Sequence, residues 1–413
     1  MRIWIIDHYA QPAKYKPLIR QTLFAKNLIR NGHYIRIFCA STVHNTKIDL
    51  INDSELYVEE IIDNISYTYI KACKYERNNI KRILNMYEFA MRLPKVCEVW
   101  AKKEGKPDCV LSCSMTLQAC KAGIQIARKY HAKAIAQITD LWPESLVAYQ
   151  KVSERNPFVL YFRKIEKWIY KNADRIIFSM EGAYDYIIEQ GWDKEIPRSK
   201  VCYINNGIDF VQFMKNKEKY RIEDSDLYNK NIFKIVYVGS IRKVNNLSTI
   251  LDAAKLIKEK NIKFLIWGGG DHLEELKKRV DRENICNVVF KGRVDKKFIP
   301  SITSCADVNL VHGMESPIFR FGVSANKIFD SLAAGKPILT TYHCKYNPAL
   351  QCGASIEANN NTAEGIAEAV EKLYRMDEGE RNKFSIYAYE GAKKYDFALL
   401  SERLINTIES LGE

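Results

Sequence analysis

A chain of 413 residues with 47% hydrophobic and 27% charged side chains is a folded globular protein, long enough for two α/β domains and too apolar for intrinsic disorder. No apolar run approaches the ~20 residues of a membrane-spanning helix, and the opening MRIWIIDHYA breaks at Asp7, too early for a secretory leader. The net charge of +13 is uneven: residues 1–212 carry 32 Lys and Arg against 23 Asp and Glu, the remainder 31 against 27. A basic first half suits an anionic partner such as a membrane surface or a phosphorylated substrate, and no nucleic-acid-binding signature accompanies it.

Residues 2–7 read as a first strand and 8–15 as a loop. Pro17 at the first helical position and Gly32 just past the end frame a helix over 17–31, and 34–39 is the next strand. This strand–helix–strand unit begins a doubly wound parallel sheet. Ligands of such sheets lie beyond the strand C-termini, which places His8 at an active-site edge. Residues 41–77 hold short polar and aromatic strands with weak periodicity and no sharp bounds. Residues 81–103 predict an amphipathic helix with Ile83, Leu84, Tyr87, Met91, Val96, Val99 and Trp100 as apolar positions and a kink at Pro94. Its basic residues suit either an ordinary solvated side or an anionic membrane.

Strand, helix and strand follow at 108–112, 117–130 and 132–139, the last running into Asp140-Leu141-Trp142-Pro143-Glu144-Ser145. Asp140 ends a strand on the ligand-bearing edge, where its carboxylate can accept a ligand's hydrogen bond; an Asp before an apolar-Pro turn is also a common helix cap. Helices at 157–171 and 181–190 and strands at 175–179 and 201–204 lead to Asn205-Asn206-Gly207-Ile208-Asp209. The polar, charge-rich 213–231 then reads as a linker between two domains.

The second domain opens with a strand at 234–238, then Gly239-Ser240-Ile241-Arg242-Lys243 and a helix over 247–260. Gly239 permits a tight turn against a ligand, and Arg242 and Lys243 add positive charge beside that turn. A strand at 264–267 meets Gly268-Gly269-Gly270 before a helix at 273–283. The glycines let a backbone approach a bound group, but this is not the G-x-G-x-x-G dinucleotide fingerprint. A strand at 287–290, the turn Lys291-Gly292-Arg293-Val294, a short helix at 300–304 and a strand at 308–311 follow. That strand ends at His312, which faces the same edge. Helices at 362–374, 378–394 and from Tyr395 to Leu411 complete the chain. The eleven cysteines, odd in number and without a C-x-x-C pair, read as reduced, mostly buried thiols of a cytosolic protein.

The stretch His312 to Leu339 organises the rest. Its second half predicts a helix over 324–334 with Ser324 and Asn326 as candidate N-cap side chains, Gly335 at C′ and Pro337 as a stop. The turn Arg320-Phe321-Gly322-Val323 feeds that helix. A flexible turn entering a helix N-terminus is an anion site, because unpaired N–H groups and the positive dipole end converge there. Asp330, six residues after Ser324, is placed to reach a ribose hydroxyl.

Asn326-Lys327-Ile328-Phe329-Asp330, the Ala333-Ala334 pair and Gly335-Lys336-Pro337 resemble the signature of family 4 retaining glycosyltransferases. The resemblance covers nearly the whole chain and is strongest over 233–339 and around Asp140. The Asn-Lys-Ile-Phe-Asp variant is similar to the subgroup of bacterial capsule and O-antigen clusters, including N-acetylfucosamine transferases. It implies the α/β GT-B fold: two Rossmann-like, doubly wound domains, 1–212 and 213–394, an interdomain cleft, and a terminal helix from 395 crossing back to the first. It implies a UDP-sugar donor with its diphosphate near Ser324, Arg242 and Lys243, and its ribose on Asp330. Gly239, Ser240, Gly268, Gly269, His312, Gly322, Val323, Asn326, Lys327 and His8 then border the substrates, with Arg293 and Val294 at the uracil ring.

Asp140, Arg242 and Lys243 form the implied catalytic set, with no metal, no further cofactor and no protein nucleophile. The donor's β-phosphate takes the acceptor's proton. Two departures stand out. Most of the family has Glu eight residues before the ribose acid, where this chain has Gly322. Many relatives have Arg directly after the first Gly and Lys five further on, where it has Ser240 and Asn245.

Three functions fit these residues. One is transfer of an N-acetylhexosamine-type sugar from UDP to a lipid-linked saccharide at the cytoplasmic membrane face. The second is a UDP-sugar 2-epimerase of the same fold, which needs no acceptor. The third is a non-catalytic partner protein, suggested by Gly322.

Overall fold

A computed structural model describes the chain except residues 16–19, 45, 53, 77–79, 115, 151 and 412–413. The expected Pro17 helix start lies outside the described residues. The backbone divides into two compact units, Met1–Asn205 with Phe397–Glu413, and Asn206–Asp396.

The first unit is an eight-stranded sheet. Its strands are β1 (Arg2–Ile6), β2 (Tyr34–Ala40), β3 (Tyr57–Ile62), β4 (Ile65–Ile70), β5 (Cys109–Cys113), β6 (Lys133–Ile138), β7 (Arg175–Phe178) and β8 (Val201–Tyr203). Their order is β3-β4-β2-β1-β5-β6-β7-β8, parallel throughout except for the antiparallel β3–β4 edge pair. β1, β5 and β6 are almost wholly apolar, as strands covered on both faces must be. The β3–β4 hairpin occupies the stretch where the sequence shows no clear period. Its two-residue turn puts Asp63 and Asn64 at φ 52° and 64°, the left-handed pair such a hairpin needs.

The helix predicted over 81–103 runs from Ile80 to Glu104 with Pro94 inside it. Its buried stripe is Asn85, Phe89, Ala90, Leu93, Val96, Cys97 and Trp100, whereas Leu84, Met91 and Val99 are exposed. The predicted face is therefore rotated. Choosing by hydrophobicity alone passed over Asn85, whose amide is fully bonded in the interior to His8, Thr42 and Cys73. The terminal helix Phe397–Glu409 belongs to the first unit, as expected. Phe397, Leu400, Leu404 and Ile408 join its core, and Phe397 meets Phe24 edge-on at 5.3 Å.

The second unit is a six-stranded, all-parallel sheet ordered β11-β10-β9-β12-β13-β14. The strands are β9 (Phe233–Val238), β10 (Ile262–Trp267), β11 (Val288–Gly292), β12 (Val308–Val311), β13 (Ile338–Thr340) and β14 (Ser355–Glu357). Strand order reverses between β9 and β12, and a ligand crevice opens at such a switch point.

The linker reading of 213–231 is corrected by this structure. Phe210–Lys219 is a helix capped by Asp209, whose carboxylate accepts from Gln212 N at 3.0 Å, and a short helix follows at Ser225–Tyr228. Polar composition there is one face of an amphipathic helix; Phe210, Phe213 and Met214 pack into the core. The division between units accordingly falls at Asn205–Asn206, not at 212, and its second crossing at Asp396–Phe397.

Candidate functional site

The helix of the signature runs Asn326–Ala333, with Gly335 at φ 62° just beyond its end and β13 starting after Pro337, as predicted. Its start differs from expectation. The cap is Ala325, with no side-chain cap, because Ser324 Oγ accepts from Asn206 N at 3.1 Å and Asn326 Oδ1 accepts from the Asn206 amide. Both polar side chains bond to the chain entering the unit, and the cap residue Ala325 offers no side-chain cap.

A cavity of about 320 Å³ opens at that end. Its walls come from the last residues of β9 with Gly239, Ser240 and Asn245, from Asn309 and Leu310 of β12, from Lys296, and from Ala325, Asn326, Lys327 and Asp330. The cavity thus lies at the switch point, with the helix dipole's positive end in its wall. Burial raises the Asp330 carboxyl to about 6 against the pull of Lys296, and burial lowers the Lys327 ammonium to about 7. Lys327 Nζ donates to the His312 carbonyl and lies 4.9 Å from the Tyr237 ring centre. The same helix therefore offers one acceptor carboxylate and one cation, the set a ribose diol and a phosphate require.

Several expected residues fall elsewhere. His312 is wholly buried: Nε2 donates to the Asn246 carbonyl at 2.9 Å, so Nδ1 is the acceptor for Thr341 Oγ1 at 2.8 Å. Burial takes this ring to about 4, and the neutral imidazole is a brace behind the cavity, with neither nitrogen open to a ligand. Arg242 and Lys243 are exposed and outside the cavity wall. Ser240 and Asn245, the two positions that depart from the family, line it instead, joined Oγ to Oδ1 at 2.9 Å. A neutral hydrogen-bonded pair stands where relatives put two cations.

Gly268 and Gly269 are likewise absent from that wall. Gly268 has φ +147°, and a Cβ there would sit 1.8 Å from the Gly239 carbonyl oxygen; at Gly269 it would meet Arg293 Nε at 2.4 Å. These glycines let neighbouring turns and the Arg293 side chain pack together, so their close approach is to protein, not to a ligand. Val294 packs against the core cluster that contains Val236, Leu265, Trp267 and Ile302. Gly322 is buried at φ +122°, ψ 165°, a conformation essentially confined to glycine, and Val323 joins the adjacent core. A Glu in this conformation would be strained, so the glycine at 322 is matched by the backbone of the turn.

The sequence reading passed over Lys296 and Tyr237, which line the cavity without belonging to a recognised motif. Asp224-Ser225-Asp226 is a D-x-D triplet, the commonplace form of a metal-binding acidic pair. Its carboxylates are paired with Lys291 at 2.8 and 2.7 Å, and Asp226 also with Lys263 at 3.3 Å. The triplet serves as an ion-pair anchor for β11.

In the first unit Asp140 follows β6 and accepts from Ser145 Oγ at 3.4 Å; burial raises its carboxyl to about 6. It opens on a separate cavity of about 720 Å³ whose wall includes Ile80, Arg82, Trp142, Tyr149, Phe158 and Phe162. His8 does not reach it. Its Nε2 meets Asn85 Oδ1 at 2.7 Å, and the buried ring, held near 3 by desolvation, is neutral.

Residues 22–212 match the family described as Glycosyltransferase Family 4, and residues 232–376 match Glycosyl transferases group 1. These matches support a family 4 glycosyltransferase. Over 218 residues the chain is 27% identical to "Probable glycosyltransferase WbjE" of Pseudomonas aeruginosa, covering 50% of each protein. Over 216 residues it is 26% identical to TuaH of Bacillus subtilis, a protein named for a glycosyltransferase role in teichuronic acid biosynthesis, covering 51% of this chain and 50% of that one. The aligned stretch spans about half the length of these relatives. The structure of Anabaena HepE in complex with UDP aligns with a TM-score of 0.68 at 12% identity, over 99% of this chain and 100% of that one. At such identity the likeness is one of fold, and the fold is GT-B.

Proposed function

We propose that this protein is a retaining glycosyltransferase that moves an N-acetylated hexosamine or deoxyhexosamine from a UDP-sugar to a lipid-linked saccharide in bacterial surface polysaccharide synthesis. The observation that carries this reading is the switch-point cavity, where an uncapped helix start, Lys327 and Asp330 share one wall. The UDP complex of HepE and the polysaccharide role in the name of TuaH support the donor and the pathway class.

In this reading Asp330 accepts the ribose hydroxyls and the first amides of Asn326–Ala333 bind the diphosphate. Leaving of the nucleotide builds charge on the β-phosphate, and fixed dipoles with the Lys327 ammonium stabilise that charge more in the transition state than in the ground state. The β-phosphate takes the acceptor's proton. Asp140 orients the acceptor, whose apolar part suits the aromatic cavity beside it. Neither a metal nor another cofactor takes part. The acceptor is met at the cytoplasmic face of the membrane, to which the basic first unit is drawn by charge.

Transfer of radiolabelled sugar from UDP-sugars into a bacterial membrane extract is the test. Label in the lipid fraction, abolished by UDP excess, supports the reading; a folded protein that transfers none of a panel of UDP-sugars overturns it.

A further inference from the structure

Four titratable side chains line the second-unit cavity: Tyr237, Lys296, Lys327 and Asp330. Asp330 is the acid among them, and a ribose diol, with two O–H donors, fits the two acceptor oxygens of its ionised form better than the protonated form. Burial works against ionisation, so the carboxylate needs a neighbouring positive charge. Lys327 is engaged away from it, with the His312 carbonyl and between the rings of Tyr237 and Tyr342 at 4.9 and 5.7 Å. Tyr237 gives its hydroxyl to the Ser240 carbonyl at 2.9 Å, and the His312 ring behind Lys327 is neutral.

Lys296 remains. It enters from the turn Lys296–Phe298 after β11, is half-buried in the cavity wall, and its ammonium makes no hydrogen bond or close ion pair among the described residues. Burial lowers its ammonium from the usual lysine value, and the opposite charges of Lys296 and Asp330 each act against the burial of the other.

We propose that Lys296 is the counter-ion of Asp330, a positioning residue that keeps the carboxylate ionised before ligand arrives and so sets the lowest pH at which the cavity accepts a ribose. The inference rests on the nucleotide reading of the cavity for its consequence, and on the cavity wall alone for the pairing.

The full-length protein labelled with carboxyl-13C aspartate allows a direct test, with the Asp330 resonance identified by its loss in Asp330→Asn. Its titration midpoint lies near 6 in the wild type. It rises by about one pH unit in Lys296→Met and stays in place in Lys296→Arg. Calorimetry with UDP gives the functional arm. Lys296→Met loses affinity by about ninefold at pH 5, recovers nearly all of it at pH 9, and has no further effect in an Asp330→Asn background.

A midpoint unmoved in Lys296→Met overturns the proposal. So does an affinity loss equal at both pH values, since it would mean that Lys296 touches the nucleotide itself. If the midpoint moves but UDP binds no variant, the pairing stands and the nucleotide reading falls.

Discussion

Asp330 carries the most information of any single residue, because burial and charge oppose one another there. Its folded carboxyl, raised to about 6 from 3.8, holds a proton that the unfolded chain has already released. Folding stability therefore falls as pH rises through that interval and stays reduced above it. Asp330→Asn should stabilise the ligand-free protein at pH 7.5 by on the order of 1–3 kcal/mol, read from denaturant melts, and show no such gain at pH 4. The same substitution should weaken UDP by about 1.5–3 kcal/mol in calorimetry, since a charged hydrogen bond is lost. Asp140→Asn should lower turnover and leave UDP affinity unchanged, because its carboxyl faces the other cavity. Asp330 was legible in the sequence from its place on a helix closed by Gly-Lys-Pro. His312 and Ser324 were misread because their hydrogen-bond partners, Asn246, Thr341 and Asn206, are remote in sequence or offer only backbone groups.

At the level of elements, boundaries marked by caps, glycines and prolines were readable, and choices of face were not. The helix Glu378–Lys394 has a full capping box from Asp377 and Glu380, and its predicted bounds coincide with the observed ones. By contrast, the buried stripe of Ile80–Glu104 includes Asn85, which no hydrophobic pattern would select. The triple glycine was legible as a tight place, but whether backbone or ligand fills that place depends on the neighbouring turn. Gly268→Ala should therefore destabilise the second unit by about 1–3 kcal/mol in denaturant melts through strain and collision with the Gly239 carbonyl. Any loss of UDP affinity should follow from that unfolding and not from a missing contact.

Over the whole molecule, each unit has its own hydrophobic core, centred on β1 and β5 in one and on β9 and β10 in the other. Two Rossmann-like sheets were foreseeable from the alternation of strand and helix. The assignment of 206–212 to the second unit was not, since it depends on Ile208 bonding to Tyr395 at 2.9 Å. Among the described residues no helix is long and apolar enough to cross a membrane. With Asp224 and Asp226 committed to lysines, sugar transfer should survive excess EDTA unchanged; loss restored by a divalent cation would contradict the metal-free reading.

The most direct measurement is amide hydrogen exchange of the full chain with and without saturating UDP. Binding at the switch-point cavity predicts slowed exchange in peptides covering 239–246 and 323–331, and Asp330→Asn requires a higher UDP concentration for the same protection. Protection confined to other segments, or none under conditions where UDP binds, would contradict a nucleotide site at the start of Asn326–Ala333.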